Sequence, residues 1–361
     1  MDIVNYFFQV LFIKSSIHNN LISTKNVYLA VKIFKFSHSY ESIVIIPYFC
    51  NSIIHLGFTY FPLSMMDSDF LQIKLNNRLI DLSTPIVMGI VNVTPDSFYM
   101  GSRYRSDKTI LQAVEHMLID GAGIIDIGGY STRPSAEAIS QEEEIERLSE
   151  GTEVILKKFP EVIISIDTFR SGVARHMVDN YGVAMINDVG GGTLDDMMFE
   201  TIADCQVAYV LMHMRGTPQS MQSHAHTQYE DIVPDVLQFL EKRLAQLRLL
   251  GVHDVVIDPG FGFAKTLDQN YQLLSNLEYF KQLNVPMLAG MSRKSMLTKL
   301  LDIDAVEALN ATTAANMLAL AGGASILRVH DVKEATQTIA IYKKYIEMKD
   351  SESVESFRTG N

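Results

Sequence analysis

The sequence predicts an α/β fold, a (β/α)8 barrel with an N-terminal β-hairpin. Three observations predict it. Eight short runs rich in Val and Ile recur between residues 86 and 329, helical stretches separate them, and each run ends in polar residues at its carboxyl side. The runs are continuously apolar rather than alternating, as expected of strands covered on both faces in a parallel sheet. Eight βα units in succession form the pattern of the closed barrel. An open, doubly wound sheet is the alternative on pattern alone.

The elements follow in order. Gln72–Ser83 alternates apolar and polar residues about Asn76-Asn77, a hairpin signal. The strand runs are Ile86–Val93, Ile124–Gly128, Ile163–Asp167, Ala184–Asp188, Ala208–His213, Val255–Asp258, Pro286–Met291 and Ile326–Val329. Ser140-Gln141-Glu142-Glu143 reads as a capping box opening a charged, amphipathic helix. Asp231–Leu250 has helical periodicity and stops at Gly251.

The polar strand ends are Asn92, Asp126, Asp167, Asn187 with Asp188, His213, Asp258, the Ser292–Ser295 run, and Arg328 with His330. In a barrel these ends converge on the face that carries active sites. For any one position, a polar residue that simply closes its strand is the ordinary reading. Eight in series, with this many ionisable types, point to a site. Polar groups in a half-buried funnel are costly unless a ligand or one another satisfies them.

The chain has 361 residues, of which 47% are apolar. A barrel of roughly 250 residues with added segments fits that length. The formal net charge of -12 argues against a nucleic-acid groove. No apolar run reaches the length of a membrane span. Two cysteines without a CxxC argue against a disulfide framework or a zinc site, and a reducing cytoplasm is the expected compartment.

Residues 1–64 differ from the rest. They hold Asp2 and Glu41 against Lys14, Lys25, Lys32 and Lys35, so the segment carries +2 and the remainder -14. Three readings stand: a poorly ordered extension, an unusual targeting piece, or a start assigned upstream of the true one. The last is favoured, because Met65 and Met66 stand directly before ordinary globular sequence. The expected division is an atypical extension over 1–64, the barrel over 65–349 and a polar tail over 350–361.

The run Met88–Phe98 (MGIVNVTPDSF) and the run Asp126–Pro134 (DIGGYSTRP) resemble the first two signatures of the dihydropteroate synthase family. Ser165–Thr168, Ile186–Val189, Leu211–Met214, Ile257–Phe263, Ser292–Ser295 and Arg328–Asp331 follow in that family's order, one per strand. The resemblance covers residues 72 to 348. It implies a TIM barrel that displaces diphosphate from a pterin methylene with the amine of 4-aminobenzoate, in folate biosynthesis.

The resemblance also implies roles. Asp258 would accept two hydrogen bonds from the pterin edge, completed by Asp167 and Asn187. Lys294 would donate to the ring, and Met212 would lie on its face. The diphosphate would meet Arg328 and His330, with Thr132 and Arg133 reaching in from the second loop. Asn92 would hold Mg2+, which favours oxygen ligands and shares itself with substrate phosphates. The aminobenzoate would lie among Phe98, Pro134 and Phe263 near Arg133, its carboxylate on Ser295. Outside the family, Asn92 would be an ordinary loop asparagine, His330 a packed neutral histidine and Ser295 a helix cap. A homodimer is expected, with the helices after strands six to eight as candidate contacts.

Tyr99-Met100-Gly101-Ser102 departs from the family's first loop, and Tyr130 and Ser135 from its second. These departures bear on loop closure and amine affinity, not on the pterin pocket. A pterin-dependent methyltransferase and a catalytically dead barrel are the rival readings. The Ser131–Pro134, Ser292–Ser295 and Arg328–His330 motifs argue against the first. The retention of Asn92, Arg133, Lys294, Arg328 and His330 argues against the second.

Overall fold

The computed structural model describes residues 11–15, 27–36, 40–48, 71–93, 103–130 and 139–359. The chain divides into two units, Met1–Asp69 and Phe70–Asn361. In the first, β1 (Leu11–Ser15), β2 (Val27–Phe36) and β3 (Tyr40–Tyr48) form an antiparallel sheet in that order.

The second unit opens with the hairpin β4 (Gln72–Leu75) and β5 (Arg78–Asp81). Leu75 pairs with Arg78, and Asn76 takes a φ of 54° in the turn, a conformation asparagine tolerates. Eight parallel strands follow: β6 (Ile86–Asn92), β7 (Ala122–Gly128), β8 (Ile164–Asp167), β9 (Met185–Asp188), β10 (Ala208–Met212), β11 (Val255–Asp258), β12 (Leu288–Ala289) and β13 (Ile326–Val329). Their order is β11-β10-β9-β8-β7-β6-β13-β12. A parallel bridge between Ile257 and Met287, with Ile257 N donating 2.9 Å to Pro286 O, closes the circle between β11 and β12. This is the closed TIM barrel rather than the open sheet. The seventh strand is shorter than the Pro286–Met291 run, because the chain leaves the ladder at Gly290 to start the loop that carries Lys294.

The helices are α1 (Arg103–Ile119), α2 (Gln141–Lys158), α3 (Ser171–Tyr181), α4 (Met198–Cys205), α5 (Ile232–Leu249), α6 (Leu267–Ser275), α7 (Ser295–Leu301), α8 (Leu309–Ala321) and α9 (Val332–Thr359). Half of the expected box at α2 forms. Ser140 Oγ accepts from Glu143 N at 3.1 Å, while the Glu143 carboxylate turns to Arg147 one turn later. The last helix continues through residues 350–359. Among the described residues no helix is long and apolar enough to cross a membrane.

Alternation along each strand sorts the apolar side chains into two cores. Ile125, Ile127, Ile166, Ile186, Leu211, Ile257, Leu327 and Val329 point outward into the helices. Met88, Ile124, Met185, Val210, Val256, Leu288 and Ile326 fill the barrel interior. Ile73, Leu75 and Leu82 of the hairpin join that interior core, so the hairpin closes the barrel at the amino ends of the strands. Lys74 N donates 2.7 Å to Asp254 at the start of β11 and ties the two together. The amino-terminal end is thus a dry plug, and the polar groups collect at the other end.

Candidate active site

Above the apolar plug the inward positions change character. Continuing the alternation, the inward residues at the carboxyl ends are Asp126 and Gly128 on β7, Asp167 on β8, Asn187 on β9, Met212 on β10, Asp258 on β11 and Arg328 on β13. Register places Gly128, Asp167 and Asn187 in one row across β7, β8 and β9. A Cβ on Gly128 would meet Asn92 Oδ1 and Asp167, so this glycine leaves open the space beside both.

Arg328 sits at the centre of the polar ring. Its Nε donates 2.6 Å to Asp126 Oδ2 and its Nη2 donates 2.6 Å to Asp167 Oδ2. Asn187 Nδ2 donates 3.0 Å to the same Asp126 oxygen. Burial pushes the Asp167 carboxyl up to about 7. The Arg328 cation opposes the shift, and the charges of Asp126, Glu144 and Asp188 add to it. The same two carboxylates hold Arg328 above its ordinary value against the effect of burial.

Asp258 Oδ1 accepts 2.7 Å from Gly260 N, which fixes the carboxylate at the mouth of β11. Burial raises its pKa, and nearby Lys294 opposes the rise. Lys294 donates to Phe261 O, and its Nζ stands 4.4 Å from the centroid of the Phe263 ring. Burial lowers the Lys294 ammonium to about 8, with Asp258 acting against the shift. Met212 is buried with Val189, Met214, Met221 and Ala264, and half-buried Phe263 packs against that group. Asp167, Asn187, Met212, Asp258, Phe263 and Lys294 therefore line one end of one barrel.

Asn92 is exposed at the end of β6. His330 is exposed one step beyond β13, its N–H donating 3.2 Å to Ser292 Oγ. Ser295 is the first residue of α7, exposed, and the cap position belongs to Lys294. Phe98, Thr132, Arg133 and Pro134 lie outside the described residues.

Two polar strand ends do not join the site. Asp188, next to inward Asn187, faces out, where its carboxylate accepts from Gly190 N, Gly192 N and Tyr209 Oη at 2.6–2.7 Å. His213 follows inward Met212 and also faces out, edge-on to Phe239 with ring centroids 4.9 Å apart. Neighbours on a strand point to opposite faces, so each pair sends only one member into the barrel.

Three groups beyond the expected set support the site. Asp126 is fully buried under Arg328 and Asn187. Lys265, buried, donates to Gly260 O at 2.8 Å and Phe263 O at 3.0 Å, bracing the loop after β11. Arg293, at φ 53°, grips Asp331 with Nε and Nη2 at 2.9 and 2.8 Å and holds the loop after β12 to the start of α9. Asp126 was visible in the sequence as a strand-end carboxylate; nothing in the pattern marked Lys265 as buried.

Residues 88–330 match the family model described as pterin binding enzyme. The chain is 40% identical over 276 residues to the dihydropteroate synthase of Haemophilus influenzae, covering 76% of this chain and 98% of that one. Against the Escherichia coli dihydropteroate synthase it is 39% identical over 281 residues, covering 76% and 97%. The crystal structure of the Yersinia pestis dihydropteroate synthase with a sulfonamide drug complex superposes with a TM-score of 0.71 at 36% identity, over 76% of this chain and 99% of that one. The Xanthomonas albilineans dihydropteroate synthase with 4-aminobenzoic acid gives 0.69 at 35% identity, over 76% and 98%. The inward polar ring above a dry barrel plug and these relationships agree: the chain belongs to the dihydropteroate synthase family of pterin-binding transferases.

Proposed function

We propose that this barrel condenses 6-hydroxymethyl-7,8-dihydropterin diphosphate with 4-aminobenzoate, giving 7,8-dihydropteroate and diphosphate, through the residues assembled at its carboxyl-terminal face. The observation that carries the residue assignment is the convergence of buried Asn187 and Asp258 with half-buried Asp167 and Lys294, from three strand ends and the loop after β12, around one opening. A flat pterin offers a row of donors and acceptors along one edge. Side-chain carboxylates and an amide can match that row only if they are held rigidly. Asp258 is fixed by Gly260 N and Asn187 by Asp126. Lys294 donates to the ring acceptors, and Met212 covers a face.

An aromatic amine is neutral at pH 7 and needs no strong base. The demanding part is charge on the departing diphosphate, which calls for fixed cations. Arg328 keeps N–H donors beyond those given to Asp126 and Asp167, and the reading assigns it the diphosphate together with His330, Thr132 and Arg133. The reading assigns Phe98, Pro134 and Phe263 to the aminobenzoate ring, and Arg133 and Ser295 to its carboxylate. Among the described residues no cluster of three His, Cys, Asp or Glu could hold a metal ion. Asn92, exposed at the end of β6, would hold Mg2+ through its one side-chain oxygen together with substrate phosphate. When bound, the ion supplies positive charge for the leaving diphosphate.

Diphosphate release followed with and without 4-aminobenzoate tests the reading. Release that requires the amine, with dihydropteroate formed in equal amount, is the expected result. Tight pterin binding without product would overturn it. Leu300, Leu301, Val306, Leu318, Ile341 and Tyr345 are exposed on α7, α8, α9 and the connection between the first two. They motivate a homodimer through this face, and a monomer in equilibrium sedimentation at micromolar concentration would exclude it. The Cys205 thiol is free, which suits the cytoplasm; recovery from a membrane or secreted fraction would contradict that placement.

A further inference from the structure

Asp126 is the one buried carboxylate of the inward ring that has no substrate contact in the reading above. Its solvent exposure is 0%, and its Oδ2 accepts from both Arg328 Nε and Asn187 Nδ2, at 2.6 and 3.0 Å. Its Oδ1 is buried with no hydrogen-bond partner. A carboxylate oxygen left unpaired in the interior lowers stability. Stability alone does not explain this residue; what it holds does.

Asn187 can face Asp126 in two ways, related by turning its amide over. A carboxylate only accepts, so the turned-over form would set oxygen against oxygen. The Asn187 nitrogen must therefore point at Asp126, and the oxygen is the face left for a ligand. The same Asp126 oxygen anchors Arg328, which reaches across to Asp167. One buried group thus fixes the orientation of two others.

We infer that Asp126 is a positioning residue that sets the donor–acceptor pattern shown to the pterin, by presenting the Asn187 amide as an acceptor and holding Arg328 beside it. The site then selects a heterocycle with a ring N–H at that edge. An isostere with a bare ring nitrogen there would meet oxygen with a lone pair and be rejected strongly. This inference rests on the pterin reading above.

Pterin diphosphate binding to wild type, Asp126→Asn and the reciprocal pair Asp126→Asn/Asn187→Asp tests it. The single variant replaces the charged acceptor by a neutral amide whose nitrogen can donate to a turned-over Asn187, so the Asn187 orientation is released. The reciprocal pair restores the hydrogen bond with reversed polarity and still presents an oxygen at position 187. Expected are a roughly tenfold or larger loss of affinity in the single variant with Tm nearly unchanged, and recovery of most of it in the pair. A purely structural Asp126 would show no such recovery. Single-variant affinity equal to wild type, or a pair no better than the single variant, would overturn the inference. Wild type that does not bind the pterin would instead overturn the proposed function. If Asp126→Asn does not fold, a crystal structure of the wild-type pterin complex decides. Asn187 facing a ring N–H supports the inference, and Asn187 facing a bare ring nitrogen sinks it.

Discussion

Lys265 Nζ lies 3.0 Å from His213 Nδ1, both side chains are buried, and the other partners of this lysine among the described residues are carbonyl oxygens. Burial holds His213 well below the ordinary histidine value, and the Lys265 and Arg215 cations add to the effect. The imidazole is therefore neutral, and burial likewise holds the Lys265 ammonium well below its ordinary value.

A pH dependence of stability follows from that neutrality. The unfolded imidazole takes a proton near pH 6.5 and the folded one does not. The contribution of His213 is fully present above about pH 6.5 and is lost as pH falls toward the depressed folded value. The slope in that window is at most ~1.4 kcal/mol per pH unit. His213→Gln keeps an acceptor for Lys265 and removes the titration. Thermal melts from pH 7.5 to 5 should show a steeper decline for wild type than for the variant; parallel curves would contradict the assignment.

Lys294 gives an opposite limb, in binding. Its ammonium, lowered to about 8 chiefly by burial, loses its proton as pH rises through that value. Pterin affinity should then fall above pH 8, because the ring acceptors lose their charged donor. Lys294→Met should abolish the limb and weaken binding roughly 10- to 100-fold at pH 7, the loss expected for a hydrogen bond to a charged group. Isothermal titration from pH 6.5 to 9.5 reads both. An affinity flat across that range would remove Lys294 from the ring contact.

Much of this site was legible because parallel-barrel topology turns strand order into spatial order. Once eight runs were identified, Asp167, Asp258, Lys294 and one member of the Asn187-Asp188 pair had to converge. Two features were less legible, for physical reasons. Strands buried on both faces lack apolar–polar alternation, so nothing in Asn187-Asp188 or Met212-His213 announces which member faces in. Lys265 is buried by the loop after β11, where Gly260, Gly262 and Ala264 all take positive φ and fold the carbonyls onto its ammonium. That geometry depends on tertiary closure rather than on local pattern.

Asn92 provides the metal test. If Asn92 holds Mg2+ as proposed, together with substrate phosphate, the ion and the diphosphate would bind as a unit. Asn92→Ala should raise the Mg2+ concentration for half-maximal turnover about tenfold, and leave the affinity for a pterin without diphosphate unchanged. Chelation with EDTA should likewise weaken only the diphosphate form in the wild type. Equal loss for both pterins would place Asn92 in the ring pocket instead.

Gly260 connects the loop to the pterin carboxylate. Its φ is 73°, and a Cβ there would press into the carbonyl oxygen of His213, a backbone atom on the neighbouring strand end that cannot swing aside. Gly260→Ala must therefore move the turn away from β10. That motion withdraws the N–H now donating 2.7 Å to Asp258 Oδ1 and the carbonyl that accepts from Lys265. The left-handed backbone alone costs about 1 kcal/mol with a side chain, and the clash adds to it. Two losses should appear together, a fall in Tm and a pterin affinity at least tenfold weaker. Gly251→Ala is the control. It also has positive φ, at 81°, but a Cβ there meets no atom within 4 Å. It should lower Tm by the backbone cost alone and leave pterin binding intact. Equal effects of the two substitutions on binding would show that the contact between Gly260 and His213 does not hold Asp258 in place.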